Sequence, residues 1–520
     1  MATILVLMAS AFAAPHWLRA PDLDESRTLA PAPHWPQTWS GLRPFRKAAD
    51  AYVADHFPSR PHLIGALNRL RLLVGVSGSP KVIIGREGWL YYNDGSIMAP
   101  ARGIPPWTED QTRNWLHSLA GRTEYLKAQG VPYLVVVPPV KEAIYPQYAP
   151  GWFKLDPDRP AVRVARLARQ TGAGEVLYLY DPIVQATARG AKTYGLHDTH
   201  WDGPGAYAGY VGLMTRLHAM GLTEGPRPFS DFALVREHEV NKPRNMALML
   251  GVASFVHIDF PEYDDIPAEA LAQTSYLTGR QDWTAPHVIE TGQTGKPVML
   301  MTMDSFSNAL MPFLLSHFSR IVVAHTQDGA WRPDLIARFK PDVVLLEVLE
   351  SGLSFVIEPA PPPSPEAAKR IDTVVTAFYA KRRPPPPALA PPTARQAKAI
   401  AAAKLTDNCN IELSGLSRDP QGEVQLKISG WLSELARTNT DPVGLVRLEG
   451  GGRDFTASIR VDLKRPDVAA VYKVPAAAES GFSGEFRLPG KPAGSYSASV
   501  YRRAGGGWIA CRGRNPLVAP

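Results

Sequence analysis

Short runs of apolar residues, alternating with stretches of helical period, constrain this chain more than any other feature. Tyr133-Leu-Val-Val-Val137 offers no polar face to water, and the runs at 176–180, 298–301, 320–324 and 343–346 are nearly as apolar. A strand that is apolar on both sides must be covered on both sides. Residues 109–129, 160–172, 204–221, 307–318 and 332–338 read as the covering helices. Pro160 stands in a first turn, where its missing N–H costs nothing. The pattern predicts an α/β fold, a parallel or mostly parallel sheet sandwiched between helices. Ligand sites in such sheets lie at the carboxyl ends of strands. Met303-Asp304-Ser305-Phe306 falls at one such end, after Pro297-Val-Met-Leu-Met-Thr302.

A chain of 520 residues exceeds what one core organises, so two or more domains are expected. Residues 42–76 have helical period, and 81–92 read as a β-hairpin turning at Arg86-Glu87-Gly88. The alternation breaks at 225–293, a length that marks a lid or an inserted subdomain within a first domain spanning 21–357. The 50 prolines crowd after Glu358, as Pro-Ala-Pro-Pro-Pro-Ser-Pro and again at 384–387 and 391–392. Proline at that density favours extended spacers, so 358–403 is expected to be a linker, with a helix at 366–381. From 404 to 520, alternating strands at 424–429, 444–448, 455–459, 484–488 and 496–501 predict an all-β sandwich.

Residues 1–14 resemble the apolar core of an export signal, and Ala11-Phe12-Ala13 fits a small-x-small cleavage site. The segment is short for a bilayer span. Residues 1–20 are therefore expected to be a signal peptide or a marginal anchor, with a buried N-terminal helix as the plainer alternative. The two cysteines fit export. Cys409 and Cys511 flank the C-terminal block, where one bridge would close it, and such bonds persist in a periplasm and rarely in a cytosol. Two unpaired buried thiols are the alternative. A net charge of +7 with no block of Lys or Arg carries no nucleic-acid signature, and no Cys or His cluster has metal-ligand spacing.

The chemistry concentrates in Tyr194-Gly-Leu-His197-Asp198-Thr199-His200-Trp201 and in Asp304-Ser305-Phe306. A serine hydroxyl becomes a good nucleophile when a base takes its proton, and a carboxylate holds that base in the right tautomer. Asp198, His200 and Ser305 supply these three types. Alone, an Asp-x-His triplet in a chain with 13 histidines carries little, and Asp304 or Ser305 could simply cap the next helix. The two roles are compatible, since one residue can cap while the other reacts.

Taken together the segments resemble the SGNH-hydrolase-like proteins of the bacterial alginate and exopolysaccharide O-acetyltransferase family, through much of 24–355. The resemblance runs through Glu25-Ser26-Arg27, Asp55-His56-Phe57-Pro58-Ser59-Arg60 and the Gly88-Trp89 hairpin. It continues in Val137-Pro-Pro-Val-Lys141-Glu-Ala-Ile-Tyr145-Pro146, Asp198-Thr-His200-Trp201 with Gly205-Ala206, and Asp304-Ser305-Phe306. It implies a circularly permuted SGNH-hydrolase-like fold in which Ser305 is the nucleophile, His200 the general base and Asp198 its orienting carboxylate. Met303 stands where a Gly is common, Ser351 where an Arg is expected, and Asn245 where an acidic residue is usual. These departures bear on substrate contacts more than on the triad.

The function so implied is an exported, periplasmic O-acetyltransferase, soluble or held at the inner membrane by its N-terminus. It would move acetyl through Ser305 onto hydroxyls of a polysaccharide, with the acetyl arriving through a membrane-bound acyltransferase partner. No metal or organic cofactor is called for. Tyr194, Lys141 and Trp201 are candidate substrate contacts, each with a structural role as the alternative. The C-terminal block suggests a carbohydrate-binding module by its position alone. An acetyl esterase with the same triad, or a non-catalytic glycan-binding scaffold of a secretion complex, are the competing functions.

Overall fold

The computed structural model describes residues 28–93, 95–238, 245–256, 259–356, 360–382, 386–419, 422–434, 442–490, 492–505 and 507–520. The export segment expected at 1–20 lies outside the described residues. Among the described residues, no helix is long and apolar enough to cross a membrane. The chain divides into two compact units, Met1–Lys381 and Arg382–Pro520.

In the first unit, helices Leu42–His56 and Arg60–Leu73 precede a hairpin of β1 (Val82–Ile84) and β2 (Leu90–Tyr92). The strands that follow are β3 (Tyr133–Val137), β4 (Glu175–Tyr178), β5 (Ala233–His238), β6 (Asp259–Asp264), β7 (Gln273–Tyr276), β8 (His287–Glu290), β9 (Val298–Met303), β10 (Arg320–His325) and β11 (Val343–Glu347). Seven of them form one sheet in the order β4-β3-β11-β9-β10-β8-β7, and β5 pairs separately with β6. From β4 to β10 the pairing is parallel; β8 and β7 add antiparallel edge strands. The parallel sheet thus carries an antiparallel edge. That edge comes from 273–290, within the stretch expected to be a lid.

The covering helices are α1 (Glu109–Lys127), α2 (Pro160–Thr171), α3 (Gly203–Ala219), α4 (Ser307–Leu314) and α5 (Pro365–Ala380). Side chains of a strand alternate between faces, so each apolar run feeds two cores. Leu134, Val136, Met299, Met301, Met303 and Leu345 fill one core with Leu213 and Leu217 of α3 and Leu310 and Phe313 of α4. Val135, Val137, Leu300, Val344 and Leu346 fill the other with Leu116 of α1, Val164 and Leu167 of α2, and Ile371 and Val375 of α5. Full burial of each such side chain contributes about 1.5–3 kcal/mol before entropy is set against it. The α1 start is fixed by a capping box between Thr108 and Gln111. The α2 end is fixed by Gly172 in the left-handed region, φ 63°.

The stretch 358–403, expected to be a spacer, is instead divided between the units. Its prolines do not prevent packing, because Pro365 occupies the first turn of α5 behind the Ser364 cap. Beyond the division, Leu389 is buried in the second unit's own core.

That second unit is antiparallel β structure built on Cys409–Arg418, Val424–Leu432, Val443–Gly450, Arg453–Leu463, Gly481–Arg487, Ser495–Ala504 and Gly507–Arg512, with short pieces at its edges. Arg453–Leu463 pairs first with Val443–Gly450 and, at its far end, with Gly481–Arg487. The two half-sheets it joins enclose Leu426, Ile428, Val446, Leu448, Val500 and Phe482. Cys409 and Cys511 form a disulfide across 102 residues, with their Cα atoms 5.8 Å apart.

Candidate active site

The loop 194–201 is closed at its base by a bridge between Tyr194 and Trp201 and leads directly into α3. Asp202 caps that helix, its carboxylate accepting the Gly205 N–H at 3.1 Å. Burial pushes the Asp202 carboxyl up to about 8, against the pull of that N–H. Gly205 is required by closeness: a Cβ there would lie 2.1 Å from the Thr193 carbonyl oxygen.

Lys141 holds the loop from below. Its ammonium donates to the carbonyls of Leu90 at 2.8 Å, Gly195 at 2.7 Å, Leu196 at 2.9 Å and Asp198 at 3.1 Å. The Trp89 ring face lies 4.9 Å away. Burial lowers the Lys141 pKa, while the Glu142 and Asp198 carboxylates raise it. A cage of acceptors and a ring face suits the charged form, since an ammonium has donors only. Tyr194 is likewise committed, donating to the Pro139 carbonyl. Both side chains are buried, at 2% and 3% exposure, beneath the loop rather than on an open surface where substrate would meet them. Their expected place as substrate contacts is corrected accordingly. Both are spent on the backbone.

Above this base, three side chains from two segments meet. His200 Nδ1 lies 2.7 Å from Asp198 Oδ1, and His200 Nε2 lies 2.8 Å from Ser305 Oγ. The same Asp198 oxygen accepts the His200 backbone N–H at 2.9 Å, and Oδ2 accepts the Asn245 N–H at 3.2 Å. Burial would raise the Asp198 pKa; the hydrogen bonds and the attraction of His200 outweigh it and leave the carboxyl below its ordinary value. With Asp198 ionised, the imidazole carries its proton on Nδ1 and turns a lone pair on Nε2 toward the serine.

Ser305 follows the carboxyl end of β9, at the start of the turn into α4. That turn is fastened by two buried carboxyls. Asp304 accepts the N–H of Phe306 at 2.9 Å and of Leu349 at 2.7 Å. Glu347, closing β11, accepts the Asp304 N–H at 3.0 Å and the Ser307 hydroxyl at 2.7 Å. Burial, and then the Asp304 carboxyl beside it, holds Glu347 well above the usual carboxylate range. Trp201 fixes the turn to the loop by donating its indole N–H to the Phe306 carbonyl at 2.9 Å. Asp304 therefore fastens the turn ahead of α4, whose N-cap is Phe306 without a side-chain cap, while Ser305 faces the histidine.

The triad opens into a cavity of about 560 Å³ lined by His200, Trp201, Phe260, Tyr263, Trp283 and Asn308 among others. Trp201 borders it but is wholly buried. Sequence reasoning missed Glu347, whose signal was a carboxylate ending an apolar strand. It also missed Trp283 and the Asn245 backbone contact, both in the stretch without readable period. Met303, where a glycine was the family expectation, points into the apolar core.

Residues 82–335 match the family described as SGNH hydrolase-like domain, acetyltransferase AlgX. The match spans just under half of the chain. Among curated relatives, the probable alginate O-acetylase AlgJ of Pseudomonas fluorescens is 27% identical over 167 residues. That match covers 31% of this chain and 39% of the relative, so the likeness spans well under half of that protein. Among solved structures, Bacillus cereus PatB1 aligns with a TM-score of 0.41 at 16% identity, over 52% of this chain and 97% of that one. The O-acetyltransferase domain of Pseudomonas putida AlgJ aligns with a TM-score of 0.37 at 18% identity, over 57% of this chain and 99% of that one. Asp198, His200 and Ser305 all fall within the matched residues 82–335.

Proposed function

We propose that the chain is a polysaccharide O-acetyltransferase working through an acyl-enzyme on Ser305, its Asp-His-Ser order a circular permutation of ordinary SGNH hydrolases. The observation that supports this most is the unbroken hydrogen-bond chain from Asp198 through His200 to Ser305 at the floor of an open cavity. In this reading His200 Nε2 takes the Ser305 proton as Oγ adds to the donor's acetyl carbonyl. The tetrahedral intermediate collapses, and the leaving group departs with the proton from His200. A sugar hydroxyl then adds to the acetyl-serine, giving its proton to His200. Collapse releases the acetylated sugar, and the proton returns to Ser305. The Ser305 backbone N–H, at the head of α4, is the first donor to the oxyanion.

The relatives' name points to alginate as one acceptor to try. The proposal further has acetyl delivered by a membrane-bound acyltransferase, with the reaction in the periplasm. The test is acetyl release from a chromogenic ester by wild type and Ser305→Ala, with intact-mass detection of acetyl on the protein and analysis of added oligosaccharides. Acetyl-protein in wild type only, with acetylated sugar, supports the transferase. Acetyl-protein with free acetate as the sole product makes it an esterase. Equal inertness of two folded proteins favours a scaffold.

A further inference from the structure

Past the triad the cavity does not end. A second cavity, also of about 560 Å³, adjoins it, and Trp283, Asn308 and Pro312 line both. Asn308 and Pro312 are four residues apart on α4, hence on one face of that helix, about 6 Å apart along its axis at ~1.5 Å per residue. The two spaces thus share one face of α4 and follow it away from Ser305, with Asp264 also bordering both.

Trp283 stands where the two cavities join. A large indole is ordinarily drawn into a core, yet this one is 44% exposed. It is nonetheless held: its ring packs edge-on against His325 at 4.9 Å between centroids. The residues beside it are fixed by an Asp282 turn, whose carboxylate accepts the Thr284 N–H at 2.9 Å and hydroxyl at 2.5 Å. A half-exposed aromatic face, packed on one edge and presented to open cavities, suits one kind of ligand surface. The C–H face of a sugar ring is flat and apolar, while its rim carries the hydroxyls, so the indole can cover the face while polar neighbours such as Asn308 meet the rim.

We infer that Trp283 is a stacking platform for a sugar ring next to the one being acetylated, so that the site takes an extended saccharide chain and not a single sugar. This rests on the acyl-transfer reading above. Binding at the platform would hold the neighbouring hydroxyl at the acetyl-serine, and remote binding of this kind is expressed in the reaction of long acceptors only. Small esters, which reach Ser305 alone, would not use it.

The experiment uses the full chain and a chromogenic acetyl ester, with mannuronate, cello- and chito-oligosaccharides of one to six residues as acceptors or inhibitors. The expected result is that at least one series acts more strongly with length, levelling off by about three or four residues. Trp283→Ala should then cut that length-dependent gain at least tenfold, read as the ratio of apparent KM for the single sugar to that for the longest acceptor within each protein, so that any change in ester turnover cancels. Trp283→Phe should restore most of the gain. A length effect that survives in Trp283→Ala, or no length effect in any series while the ester is turned over, overturns the platform and leaves the acyl-enzyme reading standing. Failure of wild type to form acetyl-serine at all overturns that reading, and the platform with it.

Discussion

Asp198→Asn probes the orienting carboxylate with almost no change of volume. The carboxylate accepts three hydrogen bonds, from His200 Nδ1, the His200 N–H and the Asn245 N–H, at 2.7, 2.9 and 3.2 Å. An amide has one acceptor oxygen and one donor group, so it cannot serve all three. If the oxygen faces His200, the NH₂ meets the Asn245 N–H, donor against donor. If the amide is flipped, its NH₂ meets Nδ1, which must then be the bare nitrogen, and Nε2–H points at Ser305 with no lone pair to offer. The second arrangement forfeits the base, a loss of about 10³–10⁴-fold in acylation, or roughly 4–5.5 kcal/mol of barrier. The first leaves one buried N–H without its partner, about 1–3 kcal/mol of stability, and an imidazolium no longer stabilised by a full charge. Either way acylation should fall by at least a hundredfold. Stopped-flow release of the chromophore gives the acylation rate, and near-ultraviolet circular dichroism checks the fold. A folded variant keeping more than a tenth of the wild-type acylation rate would refute the assignment of Asp198 as the residue that sets the His200 tautomer.

Lys141→Met should remove the ammonium from four carbonyls in a buried site and destabilise the first unit by about 3 kcal/mol or more, read as a lower urea midpoint; an unchanged midpoint contradicts the cage. Asp202 keeps its proton in the fold up to about 8, whereas the unfolded chain releases it near the ordinary value of 3.8. Its contribution to stability is therefore greatest below pH 4, falls as pH rises toward 8 and is flat above. Asp202→Asn, which stands in for the protonated acid, should remove that slope, so the variant gains steadily on wild type in stability from about pH 4 to about pH 8. Cys409→Ser with Cys511→Ser opens a loop of 102 residues and should cost the second unit about 4–5 kcal/mol in the chain-entropy account. The acylation rate at Ser305 should be untouched, and a parallel loss of both would contradict it.

The fold class was legible in the sequence because burial on two faces leaves a mark on each strand separately. Tyr133–Val137 and Val343–Glu347 must be covered twice wherever they sit, and α1 and α2 declare their ends through Thr108 and Gly172. Half of the candidate site was local in the same way: Asp198 and His200 are two residues apart, and the His200 N–H closes the turn onto the Asp198 carboxylate. The family resemblance singled out Ser305 among the serines; bringing it to His200, 105 positions earlier, required the order β11-β9-β10 and the anchoring of Trp201 to Phe306.

Only the tertiary structure decided the fate of Lys141 and Tyr194. A lysine near a catalytic loop reads the same in sequence whether it meets substrate or four backbone carbonyls, because carbonyls carry no residue identity. Proline density after Glu358 looked like a spacer. Yet α5 packs into the first unit because Ile371 and Val375 recur at helical spacing, and proline in a first turn does not oppose a helix. The sequence by itself determined which segments had to be buried and which side chains could react. The chain's long-range packing decided which of them face one another, since a contact between distant segments depends on the sheet order that places both, and no local pattern encodes it.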